Sequence, residues 1–196
     1  DLGRADQISL NISTNITTLF SKTHIELLSK FEHLNLNLSI DGWGPHFTYL
    51  RHPAKWSTVH KNIKKFVELA RSKKINMSLL PVITVTSMNV YYLPELINNL
   101  QKEFKLKPFL ILAWHPYYYA IKNIPDDISA VIAEKLSAFG NYDLKAIINA
   151  LNEKGNPVHW DKFKQWTAMV DEYRGESFAE TRRAEHLRRG LARGAQ

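Results

Sequence analysis

The 196-residue chain is 44% apolar and 23% charged, which fits one globular domain, or one with a small appendage, and allows a sizeable core. It holds no cysteine, which excludes disulfides, thiolate-ligated zinc, a cysteine nucleophile and any iron–sulfur cluster on its own thiolates. Of the net charge of +7, residues 182–196 carry +4, with five arginines (182, 183, 188, 189 and 193) against Glu185, so the body is only mildly cationic.

No apolar run reaches the ~18 residues of a spanning helix, and residues 1–6 lack the basic and apolar regions of a signal peptide. The expected compartment is therefore the cytoplasm. The Asn-X-Ser/Thr sequons at Asn11, Asn15, Asn37 and Asn76 are read as incidental.

In chain order, residues 7–13 place Ile8, Leu10 and Ile12 on one face with the period of a strand. A polar loop follows, and Ser21 caps a helix predicted to run to His33, with Ile25, Leu28 and Phe31 at helical spacing. Residues 34–40 alternate again and stop at Asp41-Gly42, a turn signal. A loop rich in Gly, Pro and aromatics is expected up to Lys55. From Trp56 to Lys73 one apolar stripe (Trp56, Val59, Ile63, Phe66, Val67, Ala70) opposes a lysine-rich side. Ile75 to Val85 reads as a strand, and Pro94 opens a helix predicted through Phe104. Residues 109–113, wholly apolar, read as a strand buried on both faces. Helical stretches follow at about 125–138, 142–153 and 158–173, with prolines 125 and 157 in first-turn positions and Asn156 as a cap.

Strand and helix alternating in units of ~30 residues imply βαβ crossovers and a parallel α/β sheet. Four strands are too few to close an eight-stranded barrel and enough for part of one. Ligands of such folds gather at the C-terminal ends of the strands. Those ends carry Thr14-Asn15, Ser39-Ile-Asp41-Gly42, Thr84-Val-Thr86 and Ala113-Trp-His115.

At these residues the chain resembles a known family. Ser13-Thr-Asn-Ile-Thr17, Leu38-Ser-Ile-Asp-Gly42, Arg51, Trp56-Ser-Thr-Val59 and Asn62-Ile63 resemble the middle of radical S-adenosylmethionine (radical SAM) enzymes. The branch they look most like carries a twitch or SPASM-type C-terminal extension. Pro-Tyr-Tyr-Tyr before Ile124-Pro-Asp-Asp, and Trp160-Asp-Lys-Phe163 before Arg174-Gly-Glu-Ser-Phe178, resemble that extension. The likeness covers about residues 4–181. It implies a partial (β/α) barrel over 1–115, corresponding to the last four strands of a radical SAM-like barrel. A helical twitch-like extension over 116–181 and a basic tail over 182–196, disordered or loosely helical, complete the expected division.

Two departures shape the expectation. The family's Cys-X3-Cys-X2-Cys loop, which holds a [4Fe-4S] cluster, is absent, and so is its Gly-Gly-Glu-like motif. The first strand here matches the family's third. The chain is thus expected to be the C-terminal piece of a longer radical SAM enzyme, with the cluster in the missing N-terminal part. Alone it would not be competent for 5′-deoxyadenosyl radical chemistry. After Thr181 the resemblance stops.

What the resemblance implies for S-adenosylmethionine is a partial site. Thr14 and Asn15 would border its methionine and ribose portion, Ser39 and Asp41 would accept from its ribose or amino group, and Arg51 would pair with its carboxylate. Plainer readings stand beside these. Asn15 can satisfy its own turn, Asp41-Gly42 can be an ordinary strand-ending turn, and Arg51 a solvated charge. Position 16 is Ile where the family has Gly. Because a β-branched residue resists positive φ, a changed loop shape is expected there.

Other clusters carry less. His46, His52 and His60 share no helical face and no acidic partner at i+3 or i+4, so no metal site is expected. A Ser39–His46–Asp41 triad lacks an exposing elbow. Asp126-Asp127 fits a helix start, where acids are favoured. Trp114 and Tyr117 to Tyr119 can stack on a ring, though closure of the core is the favoured reading. The lysine face (Lys61, Lys64, Lys65, Lys73, Lys74) reads as solvated, and nothing supports nucleic-acid binding beyond charge. The substrate stays unidentified and no membrane partner is implied. The exposed edge of the first strand predicts self-association. The alternative function is a non-catalytic basic α/β module for RNA or an acidic partner.

Overall fold

A computed structural model describes residues 3–181, so the expectation for the basic tail at 182–196 lies outside the described residues. Four strands, β1 (Ser9–Thr14), β2 (His33–Ser39), β3 (Met77–Val85) and β4 (Phe109–Leu112), form one all-parallel sheet in the order β1-β2-β3-β4. Helices α1 (Lys22–Leu28), α2 (Gly44–Leu50), α3 (Trp56–Arg71) and α4 (Leu93–Asn99) lie in the connections. Helices α5 (Asp126–Ser137), α6 (Lys145–Leu151) and α7 (Pro157–Arg174) follow the sheet.

The local reasons are visible residue by residue. Ser21 caps α1 by accepting from the His24 amide at 3.1 Å, and Asn156 caps α7 by accepting from Val158 at 3.0 Å. Helix α3 buries Val59, Ile63, Phe66 and Val67 along the expected stripe. Leu34, Leu36 and Leu38 of β2 point the same way and are fully buried, as period 2 dictates. One contiguous core runs from these residues through Ile97 and Leu100 to Ile132, Leu136, Ile147 and Leu151.

Four expectations are corrected. Helix α1 stops at Leu28, and the chain turns back so that His33 already belongs to β2. The loop expected before Lys55 contains α2, because Pro45 sits in its first turn, where a missing N–H breaks no helical bond. The helix after Pro94 is α-helical only to Asn99 and continues as a π turn over Leu100–Phe104. Strand β4 is half-buried on one face, through Leu110 and Leu112, and exposed on the other, where Phe109 and Ile111 are 55% and 45% exposed.

That last observation extends across the sheet. Its outer face stacks Ser9, Asn11 and Ser13 beside His33, Asn35 and Asn37, with Ser78 and Leu80 next and Phe109 and Ile111 beyond. These side chains are half-buried or exposed, and among the described residues no element covers them as helices cover the other face. A parallel sheet with one bare face departs from the usual two-sided burial. Amides and hydroxyls partner one another there. Asn37 Nδ2 donates to Asn11 Oδ1 at 2.7 Å, and Ser78 Oγ donates to Asn35 Oδ1 at 2.8 Å while lying 3.0 Å from His33 Nε2.

Candidate functional site

At the C-terminal end of β2 the backbone turns at Asp41 and meets α2. Gly42 is required at this turn, since a Cβ would lie 2.9 Å from the Phe47 amide nitrogen. Helix α2 then carries the chain back, so that Arg51, its C-cap, faces Asp41. One carboxylate oxygen, Oδ2, accepts from Arg51 Nε at 2.7 Å and lies 2.6 Å from Nη2. The other, Oδ1, accepts from the Thr84 amide at 2.8 Å. Burial pushes the Asp41 carboxyl above its ordinary value, against the Arg51 charge and the Thr84 amide, which pull it down.

A second brace comes from Asn89, which is 2% exposed. Its Nδ2 donates to the carbonyls of Asp41 (3.0 Å) and Thr84 (2.8 Å), and its Oδ1 accepts from the Thr86 amide at 2.8 Å. Three side-chain bonds from one buried amide tie the ends of β2 and β3 together. Asn89 escaped the sequence reading. The available signal was Thr86-Ser-Met-Asn89 directly after a strand, the pattern of an Asx-closed turn.

Of the residues implicated by the resemblance, Thr14 and Asn15 use their acceptors locally. Thr14 Oγ1 accepts from the Ile16 amide at 3.0 Å, and Asn15 Oδ1 accepts from the Thr17 amide and hydroxyl at 3.2 and 2.8 Å. Ile16 nevertheless adopts φ +65, the conformation that a β-branched residue resists. It is fully buried, and its carbonyl accepts from Asn62 Nδ2 at 2.8 Å. Packing thus holds a β-branched residue in a conformation that costs about 1–2 kcal/mol. Ser39 ends β2 on the bare face, half-buried, its hydroxyl without a hydrogen-bond partner among the described residues. Arg51 and Asn15 share a cavity of about 480 Å³, which they line with Thr17, Leu50 and His52. Thr14 lies outside that lining, and Ser39 and Asp41 border the sheet end rather than the cavity.

The three histidines diverge. His46 is buried and donates from Nε2 to the Met88 carbonyl at 3.0 Å. His52 lies 3.5 Å from Glu176, and His60 lies 2.6 Å from Glu103, which also pairs with Lys64 at 3.1 Å. Among the aromatics, Tyr118 and Tyr119 pack toward Trp166 and Phe163 of α7, whereas Trp114 and Tyr117 are 53% and 56% exposed. Core closure therefore describes the second pair of tyrosines and not the first two rings.

Helix α7 is fastened beside this region. Tyr49 Oη donates to Asp171 Oδ1 at 2.6 Å, Asp171 Oδ2 accepts from the Phe178 amide at 3.0 Å, and Arg174 Nη1 donates to the Tyr49 carbonyl at 3.1 Å. Burial and the Asp171 carboxylate push the Tyr49 phenol well above its ordinary value. Residues 174–178, singled out in the sequence, thus serve as a clasp on α2.

Compared with family models, curated proteins and solved structures, the chain has no match. No helix among the described residues is long and apolar enough to cross a membrane.

Proposed function

We propose that this chain forms the second half of a radical SAM-type (β/α) barrel, whose strand-end rim contributes to binding S-adenosylmethionine beside a substrate on the bare sheet face. The observation that carries the reading is that face: a parallel sheet covered by helices on one side, polar across β1 and β2 and bordered at its C-terminal ends by Ser39, Asp41, Thr84 and Arg51. In such folds the ligand site lies at those ends.

The donor sets were weighed against the groups implied. With no cysteine in the chain, nothing here fits a [4Fe-4S] cluster, and no step is assigned to one. S-adenosylmethionine fits in part. The Ser39 hydroxyl has no partner among the described residues, and Arg51 borders the Asn15 cavity with its charge already shared with Asp41, so that a ligand carboxylate would join an existing ion pair. Asp41 is a positioning residue in this reading, because its oxygens are occupied by Arg51 and Thr84. When bound, S-adenosylmethionine supplies 5′-deoxyadenosyl radical chemistry, for which the reducing cluster must come from outside this chain. The residues of the chain bind, orient and wall off the reactants.

The test has two parts. The DNA upstream of Asp1 is translated in frame, where a Cys-X3-Cys-X2-Cys motif is expected. The 196-residue protein, labelled with nitrogen-15, is titrated with S-adenosylmethionine and S-adenosylhomocysteine, where amide shifts are expected at Asn15, Ser39 and Arg51. Finding neither the motif nor the shifts overturns the reading. The alternative, a basic module for RNA or an acidic partner, instead predicts salt-sensitive binding that deletion of residues 182–196 abolishes.

A further inference from the structure

On the far side of the Thr86–Asn89 turn, helices α5 and α7 leave a second cavity of about 480 Å³. This lies within the range of roughly 300–1,000 Å³ typical of small-molecule sites. Five aromatic rings wall it: Tyr91, Tyr92, Trp160, Phe163 and Phe178. Aliphatic side chains of α5 complete the wall, and two of them, Ile128 and Val131, stand at 41% and 57% exposure.

A single ionisable carboxylate lines this otherwise uncharged cavity, that of Asp127 in the first turn of α5. Among the described residues it has neither an ion pair nor a side-chain hydrogen bond. The helix start accounts for an acid at this position, but not for five rings and an aliphatic mouth around it. One of these rings already holds a cation. Lys135 Nζ sits 3.6 Å from the centroid of Tyr91 and 5.6 Å from that of Tyr92. Ring faces attract ammonium groups through their quadrupole.

We propose that this cavity is a binding site for a small organic ammonium ion, an arylalkyl- or alkylamine whose apolar part lies among the rings and whose charge is met by Asp127. Charge complementarity selects the class. Asp127 is exposed as well as lining the cavity, and its carboxylate attracts an ammonium group at the rings and repels an anion. The site is separate from the strand-end rim and stands independently of the function proposed above.

The experiment uses the 196-residue protein and three probes of similar shape: 2-phenylethylammonium, 2-phenylethanol and 3-phenylpropionate. Binding is followed by tryptophan fluorescence and by amide shifts around Trp160. The cation is expected to bind about tenfold more tightly than the alcohol, with the anion weakest. Asp127→Asn is expected to bring the cation down to the alcohol and leave the alcohol unchanged. Val131→Trp, placed at the exposed mouth, is expected to block both, with the circular dichroism spectrum preserved. Equal affinity for cation and alcohol, no effect of Asp127→Asn, or no binding of any probe to the folded protein overturns the proposal.

Discussion

The Arg51 guanidinium reaches back ten residues to Asp41, placing Nε at 2.7 Å and Nη2 at 2.6 Å from the same carboxylate oxygen. Helix α2 makes the contact possible by reversing the chain between them. The pair is largely shielded, with side-chain exposures of 15% for Asp41 and 29% for Arg51, so its two partners depend on each other.

Removing one partner is therefore expected to cost more than the pair is worth. Asp41→Ala leaves the guanidinium without its counter-charge and the Thr84 amide without its acceptor, and is expected to lower stability by about 2–4 kcal/mol. Arg51→Ala in the same background should add little. A double-mutant cycle by urea unfolding is expected to give a coupling of about 1 kcal/mol or more. Strict additivity would show that the two side chains do not act together.

Position 16 inverts a familiar ranking. Glycine is normally worse than alanine in ordered structure, but Ile16 sits at φ +65, where glycine alone is unstrained. Both Ile16→Ala and Ile16→Gly lose buried apolar surface. Ile16→Gly is expected to be the more stable of the two by about 1 kcal/mol, read from thermal unfolding midpoints. The opposite order would mean that the loop rearranges once the isoleucine is gone.

Two glycines separate steric from conformational demand. A Cβ at Gly155 would lie 2.0 Å from the Lys122 carbonyl oxygen, whereas one at Gly140 meets nothing within 4 Å. Gly155→Ala is expected to cost about 3 kcal/mol or more, because backbone must move apart. Gly140→Ala is expected to change stability by no more than about 0.5–1 kcal/mol. Circular dichroism melts of the two variants give the comparison directly.

Alkaline pH reports on the Tyr49–Asp171 clasp. The folded chain holds the Tyr49 proton well above the ordinary phenol value of 10.0, and the unfolded chain releases it near that value. Above pH 10.0 the folded state therefore binds more protons, and stability falls as pH rises. Tyr49→Phe has no such proton. It is expected to be less stable near neutrality by about 1 kcal/mol through the lost hydrogen bond, and the gap should narrow above pH 10.0. A gap that stays constant there would rule out Tyr49 as the titrating group.

Where a side chain's role depends on its immediate neighbours, the sequence was readable. The alternation of Leu34, Leu36 and Leu38, the stripe on α3, and the caps Ser21 and Asn156 each follow from spacings of two to four residues. Helix α2 was missed because Gly42, Gly44 and Pro45 carry turn chemistry, which a helix start with close packing also uses. Four apolar residues at 109–112 cannot tell one buried face from two, since both give the same run. The strand-end residues Ser39 and Asp41 were legible as polar groups in the right place. Their partners were not. Asn89 acts on a carbonyl 48 residues earlier, and Arg51 acts through the reversal that α2 creates, so both roles arise from topology.

The bare sheet face also bears on how this molecule can change. Along β2 the even-numbered residues Leu34, Leu36 and Leu38 belong to the core, and the odd-numbered Asn35, Asn37 and Ser39 look outward. Interior and outer surface are thus interleaved by parity along a single strand. An outward position can be exchanged without disturbing the packing beneath it, so selection can redraw the chemistry of this floor, one odd position at a time, over an unaltered foundation.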